Sequence, residues 1–298
     1  MSFDPLRLAS RVRDLGAVIS PAVLEASQAL YTPFHEHEPY RGVRLTRDIA
    51  YGGHERHRLD LFQPETAREP APVLLFVHGG GFVGGDKKRP GTPYQDNVAL
   101  WAVRHGLIGV NMTYRYAPAF AWPSGAEDVA AALAWLRANV ADHGGDPARL
   151  CLMGTSAGAV HVASYVAHPA FHPTGGIGVA GAVMLSGLYN LATAQRNELL
   201  KVYFGEDPAR HEERSSIRGL VAANIPLMFA LAEHDPPDFE RQALELVNTY
   251  CEQHGRWPRF VRLMGHNHFT ATLHLNTPDE YFGRQILDFM GASLRDAA

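Results

Sequence analysis

The spacing of apolar positions changes several times along the chain, and each change predicts a different element. Residues 4–30 place apolar side chains about every 3.6 positions, and Pro21 is suited to a first helical turn; two short helices are expected there. From Val43 to Phe62 the segments VRLTRDIAY and HRLDLF alternate polar and apolar residues on either side of Gly52-Gly53, which reads as an antiparallel hairpin at a sheet edge. The run Val73-Leu74-Leu75-Phe76-Val77 is continuously apolar, as a strand buried on both faces requires. LIGVNM at 107–112, RLCLM at 149–153, VAGAVMLSG at 179–187, IPLMFALA at 225–232 and RFVRLM at 259–264 are further strand candidates. Helical stretches near 92–105, 125–141, 157–168, 238–254 and 279–295 alternate with them. This alternation predicts an α/β fold: a mostly parallel sheet with helices on both faces and right-handed crossovers. Ligands of such sheets bind beyond the carboxyl ends of the strands. A polar-rich segment over about 189–219 interrupts the pattern. Together with residues 1–40 it is expected to form a helical cap over a catalytic domain spanning 41–298.

Composition narrows the partners. The 298 residues, 46% hydrophobic and 19% charged, are enough for one large α/β unit and too apolar for a disordered chain. Lys and Arg number 27 against 31 Asp and Glu, a net charge of −4 with no basic stripe, which argues against nucleic acid. Cys151 and Cys251 make no disulfide framework and no CxxC pair, so a reducing, cytoplasmic setting is expected. Asp4, Arg7, Arg11, Arg13 and Asp14 break the apolar positions of the N-terminus, so neither a signal peptide nor a membrane segment is expected there. Oligomeric state is left open, a homodimer included.

Two glycine-rich turns carry chemistry. Gly154-Thr155-Ser156-Ala157-Gly158 fits GxSxG, with a buried strand before it and the helical stretch AVHVASYVAH after it. Such a strand-to-helix turn holds a serine nucleophile, and small flanking residues let the backbone approach closely. His78-Gly79-Gly80-Gly81-Phe82 follows the first central strand. The amides of Gly80, Gly81 and Ala157 are candidates for an oxyanion hole. A P-loop reading fails, because neither GKS/GKT nor GxGxxG spacing is present. A serine nucleophile needs a base and an orienting carboxylate, in the chain order Ser, acid, His. Asp235 and His268 follow two later strand candidates and are assigned as acid and base; Asp238 and Glu233 compete for the first role and His266 for the second. Phe82, Trp122 and Tyr203 are candidates to line a substrate pocket. The close histidine pairs, His35/His37, His54/His57 and His266/His268, lie in no HExxH motif or Cys/His quartet, so no catalytic metal and no cofactor are expected.

HGGGF, YRYAP followed by AEDV (114–118 and 126–129), GTSAG and the late His268-Phe269 pair together resemble the α/β-hydrolase fold, and within it the hormone-sensitive-lipase-like carboxylesterases. The resemblance covers about residues 60–295. It implies a cofactor-free hydrolase of short-chain carboxylic esters, with Tyr114, Arg115 and Asp128 shaping the loop beneath the oxyanion glycines. The direct His268-Phe269 step resembles arylformamidases instead and makes an amide hydrolase the runner-up; a non-catalytic binding protein of the same fold is the third reading.

Overall fold

In a computed structural model, residues 3–66 and 69–296 are described. The sheet strands are β1 (Val43–Ala50), β2 (Arg58–Pro64), β3 (Ala71–Val77), β4 (Ile108–Met112), β5 (Gly145–Thr155), β6 (Gly181–Leu185), β7 (Leu227–His234) and β8 (Arg259–Asn267). Their spatial order is β1-β2-β4-β3-β5-β6-β7-β8. β1 and β2 form the antiparallel edge hairpin, β2 is antiparallel to β4, and every pair from β4 onward is parallel. Helices α1 (Pro5–Leu15) and α2 (Pro21–Tyr31) precede the sheet, and α3 (Asp96–Arg104), α4 (Ser124–Asn139) and α5 (Ala157–Ala167) make crossovers. The short helices α6 (Glu198–Phe204), α7 (His211–Arg214) and α8 (Ile217–Ala222) fill the interval between β6 and β7. α9 (Pro237–His254), α10 (Thr270–Leu273) and α11 (Tyr281–Asp296) complete the chain.

The continuous apolar run of β3 follows from its position. Val73, Leu75 and Val77 pack with Leu133 of α4 and Val162 of α5 on one face, while Leu74 and Phe76 pack with Trp101 of α3 and Phe289 of α11 on the other. Burying each such side chain contributes about 1.5–3 kcal/mol, so neither face of the strand has room for a polar residue. At the β1 edge only one face is covered, and burial alternates along all eight residues. There Arg47 spans the buried carboxylates of Asp60 and Asp96, at 2.6 Å from each, and Lys87 adds a contact to Asp60 at 3.0 Å.

Asp4 caps α1 by accepting from the Arg7 amide, and Ser20 caps α2 through the Val23 amide, each followed by proline at the first helical position. Leu8 and Val12 of α1 and Leu30 and Tyr31 of α2 form one apolar cluster with Leu273 of α10. This docks both helices beside the carboxyl end of β8. Among the described residues, no helix is long and apolar enough to cross a membrane.

Candidate functional site

Because β3, β5, β7 and β8 run parallel, the residues that follow them emerge on one edge of the sheet: His78, Ser156, Asp235 and His268. Ser156 sits at φ +54°, ψ −124°, a conformation that costs a non-glycine residue on the order of 1–3 kcal/mol and turns its side chain out of the strand. The two flanking glycines explain themselves sterically. A Cβ on Gly158 would stand 2.1 Å from the Val77 carbonyl oxygen, and one on Gly154 would stand 2.4 Å from the Gly158 oxygen. Only glycine lets β3, the turn and α5 meet so closely.

A hydrogen-bonded relay follows. Ser156 Oγ lies 2.9 Å from His268 Nε2, and His268 Nδ1 lies 2.6 Å from Asp235 Oδ1. A carboxylate only accepts, so Nδ1 carries the proton and Nε2 presents its lone pair to the serine hydroxyl. The other oxygen of Asp235 accepts from Ser186 Oγ at 2.6 Å and from the Ala232 amide at 2.8 Å, leaving the buried carboxylate fully paired. Phe239 and Phe269 pack against the imidazole at centroid distances of 4.8 and 5.7 Å.

The sequence competitors lie elsewhere. Asp238 is in the first turn of α9, where it accepts from the Gln195 amide at 2.9 Å and pairs with Arg241. Glu233 accepts from the Gly265 amide at 2.6 Å, and His266 faces Asp279 at 3.4 Å. Two residues at the site belong to no motif. Ser186, next to last in the strand candidate 179–187, lies on the same edge as Ser156, and that position is its only signal in the sequence. Asn267 sits between two histidines; its Oδ1 accepts from the Phe269 and Thr270 amides, and its Nδ2 donates to Ser27 Oγ at 3.1 Å. It thereby ties the loop carrying His268 to α2.

The glycine loop is held from below. Tyr114 Oη donates to the His78 carbonyl at 2.9 Å and its ring stacks on that imidazole at 4.4 Å. Asp128 accepts from the Arg115 amide at 2.7 Å and meets His57 Nε2 at 3.0 Å, so Tyr114, Arg115 and Asp128 are framework. The Gly80 and Gly81 amides have no acceptor among the described residues, and Ala157 is the first residue of α5, where the helix N-terminus leaves its amide free.

Ser156 and His268 open into a cleft of about 980 Å³. Val18, Ile19 and Leu24 from the N-terminal segment and Leu199 and Leu200 from the interval between β6 and β7 line it, together with Phe82. The other two candidates for the pocket wall do not reach it. Tyr203 is buried behind Phe82, stacked on it at 4.5 Å with its hydroxyl accepting from the Gly125 amide at 3.0 Å. Trp122 packs one layer further back, its ring against His168 and the Arg214 guanidinium. Phe82, at φ +70°, lines the cleft in their place.

Three buried imidazoles beneath and beside the cleft give the protein a defined acid response. Burial pushes His35 and His78 each down to about 4 and His161 down to about 3. Each is favoured neutral in the folded state, so between about pH 6.5 and 4 the unfolded chain binds more protons and stability rises with pH. The melting temperature is expected to be level above pH 7 and to fall continuously as the pH drops below 6.5. A melting temperature unchanged down to pH 4.5 would contradict it.

Comparison with known proteins agrees with this architecture. Residues 59–172 match the family described as BD-FAE. The chain is 32% identical over 206 residues to the esterase LipQ of Mycobacterium tuberculosis, covering 66% of this chain and 48% of that protein. Over 113 residues it is 37% identical to the carboxylesterase NlhH of the same organism, 38% of this chain and 34% of that one. The chain thus spans about half the length of the first relative and a third of the second. Among solved structures, esterase B from Lactobacillus rhamnosis superposes with a TM-score of 0.73 at 18% identity, covering 98% of this chain and 97% of that one. A bacterial heroin esterase gives 0.69 at 22% identity, with 99% and 98% covered. The chain has the α/β-hydrolase fold of these esterases and is similar to LipQ and NlhH over part of its length.

Proposed function

We propose that the chain is a carboxylesterase-type serine hydrolase that cleaves small-molecule carboxylic esters through an acyl-enzyme. The observation that carries this reading is the unbroken relay from Ser156 Oγ through the His268 ring to Asp235, with distances of 2.9 and 2.6 Å, at the floor of an apolar cleft. Ser156 attacks the ester carbonyl while His268 Nε2 takes its proton, and Asp235 orients the ring and stabilises the imidazolium. The amides of Gly80, Gly81 and Ala157 receive the oxyanion of the tetrahedral intermediate. His268 then protonates the leaving alcohol, and a water activated by the same nitrogen releases the acid. Residues 1–40 and 189–219 serve as the cap that shields these steps. An arylformamidase-like amide hydrolysis would use the same residues, but LipQ and NlhH are named as ester hydrolases. A binding protein has no need of a base behind its serine.

The cleft also bears on substrate size. The sequence reading expects a short acyl pocket under the cap, yet about 980 Å³ stands at the top of the range of about 300–1,000 Å³ usual for small-molecule sites. Acetate and butyrate esters leave much of it unfilled. Each added methylene contributes up to about 0.8 kcal/mol, nearly fourfold in affinity, until the cleft is full. For p-nitrophenyl esters, kcat/KM is therefore expected to climb from acetate to at least about hexanoate. A maximum at acetate to butyrate, with activity falling by about octanoate, would limit the enzyme to the short chains that the family resemblance implies. No turnover of any ester, with the relay residues intact, would refute the reading itself.

A further inference from the structure

Behind the cleft, separate from Ser156, three metal-ligating side chains converge from different elements. His266 comes from the end of β8, His274 caps the C-terminus of α10, and Asp279 lies in the loop before α11. One ligand atom of each lies within 4.8 Å of the other two. His266 Nε2 and Asp279 Oδ2 are 3.4 Å apart, which is the edge of a tetrahedron about 3.4 Å long around an ion with bonds of about 2.0–2.1 Å.

The surroundings of these side chains are those of metal ligands. His274 Nδ1 donates to the Thr270 carbonyl at 2.8 Å, the contact by which ligating histidines fix their tautomer. That leaves the lone pair on Nε2, and this fully buried atom has no hydrogen-bond partner among the described residues. A buried polar atom without a partner is costly in a native protein and calls for an occupant. His266 Nδ1 lies 3.3 Å from Thr270 Oγ1, so one threonine supports both rings, whose centroids are 4.2 Å apart with their planes tilted by 32°. The second oxygen of Asp279 is oriented by the Tyr281 amide at 3.2 Å. Both imidazoles are buried, while Asp279 keeps 22% of its side chain exposed and gives an ion a route in.

We infer that His266, His274 and Asp279 form a zinc-class transition-metal site that ties the β8 end, α10 and the start of α11 together. Two imidazoles and one carboxylate suit Zn²⁺, with a water at the fourth position entering past Asp279. The site is structural: none of the three ligands touches Ser156 or its relay, and the ion clamps the segment that carries His268.

The test uses the full chain, stripped with a chelator and then equilibrated with zinc chloride alone. About one zinc per chain is expected to survive desalting. At zinc about a hundredfold above its dissociation constant the melting temperature should rise by about 5 °C or more. Asp279→Asn and His274→Gln should abolish both retention and shift. Asp279 is partly exposed, so its conservative replacement carries the test even if the buried His274 variant does not fold. His268→Gln should bind zinc like the wild type. Absence of retained zinc and of any shift in the wild type overturns the proposal. So does retention that survives Asp279→Asn or disappears in His268→Gln, which would put the ion on the relay histidine.

Discussion

Ser156→Ala is expected to lower kcat for p-nitrophenyl butyrate by on the order of 10⁶, leaving only what the oxyanion amides and substrate binding supply. The loss is this large because the relay works as a unit. Without Oγ, the lone pair on His268 Nε2, now 2.9 Å from a hydroxyl, has nothing to deprotonate. The fold should survive, since the hydroxyl has no other partner than His268 among the described residues. The backbone strain at φ +54° is separable from the chemistry. Ser156→Gly should be just as inactive but more stable than Ser156→Ala by about 1 kcal/mol, because glycine occupies that region freely. Turnover by the alanine variant above about a hundredth of wild type would move the nucleophile elsewhere. Equal stability of the two variants would deny the strain.

Asp235→Asn is expected to cost about 10⁴ in kcat, by analogy with the serine proteases. The asparagine would fit the same space between Ser186, the Ala232 amide and His268. Its amide can turn an NH₂ toward Nδ1, however, which selects the tautomer with the proton on Nε2 and blocks proton abstraction from Ser156. Asp238→Asn changes a carboxylate that holds the Gln195 amide and Arg241 and has no contact with the imidazole. It should change kcat by less than about tenfold, and its effect should appear mainly in KM, because Asp238 also borders the cleft. The pair of variants discriminates sharply: a mild Asp235→Asn together with a severe Asp238→Asn would reassign the orienting acid.

Much of the architecture was legible because it depends on local pattern. The doubly buried β3, the alternating edge strand β1 and the helices α1 and α2 follow from side-chain periodicity and from Pro21, whereas β2, lying between β1 and β4, is buried along its interior and does not alternate. The GTSAG turn was legible for a related reason: the close contacts of Gly154 and Gly158 allow no larger residue, so the constraint is written in the sequence itself.

Contacts between distant segments were not. Asp235, directly before Pro236 at the end of a strand, is favoured locally over Asp238, which falls in the first turn of a helix; its meeting with the imidazole rests on the register of β7 against β8, which brings His234 opposite Asn267 and sets Asp235 beside His268. Ser186 joined the site only because β6 lies between β5 and β7. Trp122 and Tyr203 share the aromatic character of Phe82, yet packing depth put the cleft on one side of Phe82 and those two rings on the other. Sequence by itself determined the elements, the order of the chemistry along the chain and the glycines that permit it. How the carboxylate meets the histidine, how large the cleft is, and which aromatic rings reach it were decided by the tertiary structure, because these contacts depend on ångström separations between residues that lie tens to hundreds of positions apart in the chain.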